Sequence, residues 1–189
     1  GMGFMLAFWV IASGCMQIAR QAKAGKPTRS FIGMQVAHLG IAVFVIGVTM
    51  VGAYQEEKDV RMSAGDTVTV GGYQIQLQGV NAARGPNYQA MRGTFLLSKD
   101  GGSQTSLYPE KRSYFSSSMP MTEAAIDAGL TRDIYVSLGE ELGDQSWAVR
   151  VYYKPFVDWI WGGCLLMALG GVLAMSDKRY RMKLKNKLA

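Results

Sequence analysis

Phe31-Ile-Gly-Met-Gln-Val-Ala-His-Leu-Gly40-Ile-Ala-Val-Phe-Val-Ile-Gly-Val-Thr-Met-Val-Gly-Ala53 is a run without one charged side chain. A helix needs about 20 such residues to cross a hydrocarbon core of about 30 Å. Two further runs have the same character. Met2 to Ala19 carries no charge, and Phe156 to Met175 carries only Asp158. Three buried helices of this kind would need a large polar shell, and a chain of 189 residues does not supply one. The runs are therefore read as three transmembrane helices, at about 2–19, 31–53 and 156–175.

Between the runs the composition changes. Apolar residues make up 49% of the chain and charged residues 18%, and the charges crowd outside the three runs. The aromatic content argues against a disordered chain, and two cysteines, Cys15 and Cys164, are too few for a disulfide scaffold. The link after the first run holds Arg20, Lys23, Lys26 and Arg29 without an acid. The tail holds Lys178, Arg179, Arg181, Lys183, Lys185 and Lys187 against Asp177. The segment 54–155 is nearly balanced, with ten basic and twelve acidic residues. Lysine and arginine in short flanks mark the cytoplasmic side. Link and tail are thus expected in the cytoplasm, and 54–155 outside it. The excess of positive charge then reflects topology and attraction to anionic membrane lipid; no nucleic-acid-binding motif accompanies it. Gly1 precedes Met2 with the first apolar run already under way, and no basic n-region or cleavage site is visible. The chain reads as a piece of a larger or split protein.

The segment 54–155 reads as an antiparallel β domain, a small barrel or sandwich. Thr67-Val-Thr-Val70 and Tyr73-Gln-Ile-Gln-Leu77 alternate around Gly71-Gly72, a hairpin signal. Further strands are expected near 88–98, 104–108, 111–115, 133–138 and 146–153, six or seven in all. Gly85-Pro86-Asn87 and Asp100-Gly101-Gly102 punctuate them, and a short helix is expected at Thr122 to Ala128. The domain organisation is then two spans in 1–53, the β domain in 54–155, and a last span with basic tail in 156–189.

Few residues carry obvious chemistry. The cysteines form neither a CxxC pair nor a CxxCH haem-attachment motif and read as packing residues. The β segment has no histidine or cysteine. Its acids, including Glu110 beside Lys111-Arg112, read as solvated strand ends, and its tyrosines with Trp147 as core. No catalytic residue is identified.

His38 is the sole histidine and lies about eight residues into the second span. At 1.5 Å per residue that is roughly 10–12 Å from the end, a depth where an ionisable side chain is costly and points to function. Two readings remain open: a neutral imidazole bonded to a neighbouring helix, or a metal or haem ligand. Gln35 and Thr49 fall on the same helical side and form a polar stripe. Gly33, Gly40 and Gly47 recur every seven residues, and Gly163 and Gly170 repeat the device in the third span. Such grooves pack helices closely. A six-coordinate haem needs ligands on opposite faces, about 4 Å apart through the iron. Met34, one turn from His38 on the same helix, cannot supply the second. If His38 binds haem iron between two histidines, the second must come from polypeptide outside this chain.

The chain resembles the C-terminal part of the CcmF family of cytochrome c-type biogenesis proteins. The resemblance runs through Ala37-His-Leu-Gly-Ile-Ala-Val43, Gly85-Pro-Asn-Tyr88, Leu107-Tyr-Pro-Glu-Lys-Arg112, Met121-Thr-Glu-Ala-Ala-Ile126 and Arg132-Asp-Ile-Tyr-Val-Ser-Leu-Gly139. It closes with Tyr153-Lys-Pro-Phe-Val-Asp-Trp-Ile-Trp161 and Met167-Ala-Leu-Gly-Gly171. It implies a subunit of a haem lyase in the bacterial inner membrane, with 54–155 in the periplasm and the C-terminus in the cytoplasm. Such a lyase receives haem from a periplasmic haem chaperone. It joins that haem by thioether bonds to the CxxCH cysteines of apocytochrome c. The resemblance also implies a transmembrane haem b with His38 at the position of one iron axial ligand. Expected partners are the remainder of the haem lyase and the other cytochrome c maturation membrane subunits, with the chaperone, apocytochrome c and membrane lipid. The family's tryptophan-rich haem-handling motif and its periplasmic histidines have no match here; Trp159 and Trp161 belong to the last span. The fragment alone is not expected to be active. The alternatives are the paralogous haem lyase subunit for multihaem nitrite reductase, and a haem-free membrane-anchored assembly or docking protein.

Overall fold

The computed structural model describes residues 1–99, 101–117 and 119–177. Two compact units are present, one formed by the helices and one by Tyr54–Pro155.

The helical unit contains α1 (Met2–Ala24), α2 (Arg29–Tyr54) and α3 (Val157–Met175). All three are long and apolar enough to cross a membrane. α1 runs past its last uncharged residue, through Arg20 and Lys23, because a charge ends the hydrocarbon-compatible run without ending the helix. The stop comes at Gly25, whose φ of 128° no other residue takes easily. α2 begins where two side chains satisfy its free N–H groups. Phe31 N–H donates to Thr28 Oγ1 at 3.1 Å, and Ser30 N–H donates to Asp177 Oδ2 at 2.9 Å. The second bond also ties the start of α2 to the end of α3, so these helices run antiparallel.

The seven-residue glycine spacing is the α2–α3 seam. Gly33 meets the backbone of Gly170 and Ala174, Gly40 that of Gly163 and Met167, and Gly47 that of Phe156 and Ile160. A Cβ on Gly40 would stand 2.7 Å from Met167 N and 2.8 Å from Gly163 O. Outside the seam the order of a soluble protein is inverted, with Phe8, Trp9, Leu165 and Val172 exposed.

The second unit holds ten strands in two antiparallel sheets. These are β1 (Glu56–Met62), β2 (Thr67–Val70), β3 (Tyr73–Arg84), β4 (Tyr88–Lys99), β5 (Thr105–Leu107), β6 (Glu110–Tyr114), β7 (Met121–Glu123), β8 (Ala125–Asp127), β9 (Arg132–Gly143) and β10 (Ser146–Pro155). One sheet has the order β1-β10-β9-β8 and the other β2-β3-β4-β6-β7, with β5 beside β4. Alternating residues of both sheets meet in one core around Met62, Ile75, Leu77, Phe95, Ile134 and Val149. β7 and β8 follow each other directly but belong to different sheets, so the chain turns a corner there. On the opposite side β1 covers the edge of β2 with side chains. Lys58 Nζ donates to Thr69 O at 2.5 Å, and Gly71 N–H donates to Glu56 Oε2 at 2.9 Å. This closes an edge that would otherwise present free backbone groups. The result is a sandwich approaching a half-barrel.

Several expectations need correction. No helix forms at 122–128. Glu123 pairs with Glu110, and Ala125 and Ile126 pair with Val136 and Tyr135. Neighbouring strands take the backbone groups that a helix would have used, and tertiary pairing overrides local propensity. β1 was not anticipated, because Glu-Glu-Lys-Asp-Val-Arg-Met sends only Val60 and Met62 inward. Among the aromatic residues expected in the core, Trp147 is buried, Tyr108 is exposed, and Tyr88, Tyr114, Tyr135, Tyr152 and Tyr153 are half-buried. Asp100 and the basic tail 178–189 lie outside the described residues.

Candidate cofactor site

His38 projects from α2 near the level where α1 passes. Its Nδ1 lies 2.7 Å from the carbonyl oxygen of Met34, one turn earlier on the same helix. A carbonyl only accepts, so Nδ1 carries a proton, and in the neutral ring Nε2 keeps the lone pair. This is the tautomer a metal-bound imidazole needs, with its second nitrogen anchored. The acceptor differs from expectation. It lies on His38's own helix and not on a neighbouring one, because a carbonyl at i−4 is already within reach of the ring.

Gln35 is used otherwise: its Nε2 donates to Gln17 Oε1 of α1 at 3.0 Å. Thr49, the other member of the polar stripe, donates back to Val45 O at 2.6 Å. Beside His38 lies a pocket of about 290 Å³ between α1 and α2, with Ile11, Cys15 and Ile18 on one side and Val36 and Leu39 on the other. Cys15 and Cys164 are both free thiols. Sequence reasoning missed the α1 side of this pocket; its signal was Gln17, a lone amide in an apolar run.

The residues present fit one side of a haem site: an imidazole anchored through Nδ1, beside apolar walls. Among the described residues no group of three or more His, Cys, Asp or Glu converges.

The β unit holds a separate charge cluster at the Leu107–Arg112 motif. Glu110 is only 4% exposed, not the solvated strand end expected. Arg92 Nε donates to its Oε1 at 2.5 Å and Arg112 Nε to its Oε2 at 2.7 Å. The Arg112 guanidinium lies 4.5 Å from the Tyr88 ring centroid, and Tyr88 contacts Tyr114 at 5.4 Å. The hydrogen bond from Arg112, then that from Arg92, holds the Glu110 carboxyl below the usual range against the opposing effect of burial.

A pH prediction follows. The folded value lies below the unfolded value of about 4.3. The contribution to stability is then complete above the unfolded value and is lost as pH falls through the folded one. The thermal midpoint should drop more steeply between about pH 5 and pH 3 in the wild type than in Glu110→Gln. Parallel profiles would remove Glu110 from that role. Asp59, held low by a hydrogen bond from Arg150, contributes less because the pair is exposed.

Fold and site together define a chain with three helices long and apolar enough to cross a membrane and a β-sandwich. The family described as CcmF C-terminal beta-sandwich matches residues 53–155. The chain belongs to the CcmF family of cytochrome c-type biogenesis proteins. It is 48% identical to the cytochrome c-type biogenesis protein CcmF of Pseudomonas aeruginosa over 98% of this chain and 29% of that protein. It is 31% identical to the cytochrome c-type biogenesis protein NrfE of Haemophilus influenzae over 94% of this chain and 27% of that protein. A solved structure of the cytochrome c haem lyase CcmF matches 93% of this chain and 31% of that chain, with a TM-score of 0.75 at 19% identity. That likeness bears on the fold. The chain spans less than a third of the length of the curated relatives it matches.

Proposed function

We propose that this chain is the C-terminal segment of a CcmF-type cytochrome c haem lyase, with His38 one axial ligand of a transmembrane haem b. The observation that carries this is the Met34 carbonyl bond to His38 Nδ1, which leaves Nε2 free to ligate. The apolar pocket beside it would exclude water, and burial with axial ligation would set the reduction potential. A haem held there would supply one-electron reduction of the iron of the incoming haem. The second axial ligand belongs to the remainder of the lyase. The β unit would serve covalent haem attachment to apocytochrome c in the periplasm, with a haem chaperone and other maturation subunits as partners.

His38→Ala in the full complex should lose the six-coordinate b-type spectrum, and cytochrome c maturation should fall with it. Added imidazole should restore part of both by filling the vacated position. An unchanged six-coordinate spectrum would leave His38 a hydrogen-bonding residue and favour a haem-free assembly role. The reading as a nitrite-reductase-dedicated paralogue is disfavoured by the higher identity to CcmF than to NrfE.

The inner-membrane topology is part of the same reading. Ser30 and Asp177 meet, so the basic link and the end of α3 share one end of the helical unit. That end is cytoplasmic by its lysines and arginines, which sends 54–155 to the periplasm. Alkaline phosphatase fused after residue 100 should be active, and after residue 185 inactive. The opposite pattern would reverse the topology.

A further inference from the structure

We propose that α1 is the second wall of the cofactor site and that Gln17 and Gln35 are a positioning pair that holds it there. The proposal rests on the reading of His38 as an axial ligand. Between Met2 and Ile18 only Trp9, Ser13 and Gln17 carry oxygen or nitrogen in the side chain, and Trp9 is 72% exposed. Ser13 is satisfied within its own helix, its hydroxyl donating to Trp9 O at 2.6 Å. Gln17 instead reaches across to Gln35 at 3.0 Å. An amide in a lipid-spanning helix is costly unless paired, so each glutamine fixes the other's position. Gln35 precedes His38 by three residues, just under one turn of α2. The bridge therefore pins α1 almost level with the imidazole.

Two further features agree with this role. Gly14, three residues before Gln17, faces the same amide: a Cβ there would stand 3.2 Å from Gln35 Oε1. The glycine leaves the amide room to turn its Nε2 towards Gln17. The pocket that the bridge spans opens on His38 and is walled almost wholly by carbon and sulfur from Ile11, Cys15, Ile18, Val36 and Leu39. One ligating nitrogen beside apolar walls suits the edge of a flat apolar macrocycle better than a hydrated ion. Ligand angle and pocket width then depend on the distance between α1 and α2, and that distance depends on the bridge.

The test uses the full complex and reads haem per protein, the reduction potential and the low-spin electron paramagnetic resonance signal. Gln17→Leu keeps the volume and removes the acceptor; Gln17→Glu keeps an acceptor oxygen. Haem retention in Gln17→Leu should fall about three- to twenty-fold, the range expected for loss of one hydrogen bond between membrane helices. The haem that remains should show a shifted potential and shifted g-values. Gln17→Glu should keep the wild-type haem content and g-values. Cys15→Phe fills the pocket without touching the bridge and should also lower haem content; it decides the matter if Gln17→Leu fails to accumulate. Wild-type haem content, potential and g-values in Gln17→Leu, or unchanged haem content in Cys15→Phe, would overturn the proposal. His38→Ala is the control. If it too keeps the wild-type spectrum, the ligand reading itself fails; if it alone loses haem, only the positioning role does.

Discussion

Gly40→Leu is expected to abolish most of the correctly packed helical unit. A Cβ at this position would approach Met167 N to 2.7 Å and Gly163 O to 2.8 Å. Both are backbone atoms of α3, so no flexible side chain can swing aside. The contact is reciprocal, because a Cβ on Gly163 would meet Phe44 N at 2.6 Å and Gly40 O at 2.7 Å. The only relief is separation of the helices, which opens the neighbouring contacts at Gly33 and Gly47 as well. Overpacking costs about 1–3 kcal/mol where side chains can adjust, and here the cost belongs at or above the upper end. Gly52→Leu and Gly162→Leu are the controls, since a Cβ at either meets nothing within 4 Å. Detergent-extracted protein should show normal protease resistance in both controls and little in Gly40→Leu. Equal resistance in all three would mean that the glycine seam does not hold α2 against α3.

This seam was legible in the sequence because helical period and small-residue spacing are both local signals. Seven residues make nearly two turns, so Gly33, Gly40 and Gly47 line one side whatever lies against them. The uncharged runs were legible for a similar reason: the absence of charge over about 20 residues is itself the physical requirement. The Gly71-Gly72 hairpin was legible because both residues need positive φ, here 54° and 78°. What stayed hidden depends on partners distant in the chain. Met121 to Asp127 lacks a strong β signal and becomes two strands only because β6 and β9 present open edges. β1 is polar because most of its side chains serve the seam with β2 and the outer face rather than the core. Glu110 looked solvated beside Lys111-Arg112, yet Arg92 from β4 closes over it.

The candidate site shows the same division. The depth of His38 in an apolar run marked it without structural help. Its acceptor was expected on a neighbouring helix, whereas the bond goes to a backbone carbonyl of its own helix. Gln35 was placed on the right side of α2, but its partner is Gln17, eighteen residues earlier on a different helix. No period within one helix reveals a bond between two.

Phe95→Ala should destabilise the β unit by about 3–5 kcal/mol, the usual cost of deleting a fully buried aromatic ring. Phe95 has no exposed surface and stands between its partners Leu77 on β3 and Leu107 on β5. Its ring also lies over Gly93, where a Cβ would come within 2.6 Å of it. Glycine has no side chain to move into the void, so the site cannot refill from that side. A domain of this size has a total stability of about 5–15 kcal/mol, and the substitution removes a large part of it. Residues 54–155 expressed alone should unfold cooperatively, because the unit has its own core. Trp147 is the sole tryptophan in that segment. It is 8% exposed within the same core, so its fluorescence reports the loss of packing directly. The urea midpoint should fall sharply for Phe95→Ala. For Leu130→Ala, at a side chain 82% exposed, the unfolding free energy should stay within about 0.5 kcal/mol of wild type. Equal midpoints for the two variants would show that the two sheets are not joined through Phe95. A segment without a cooperative transition would show that the sandwich needs the rest of the chain to fold.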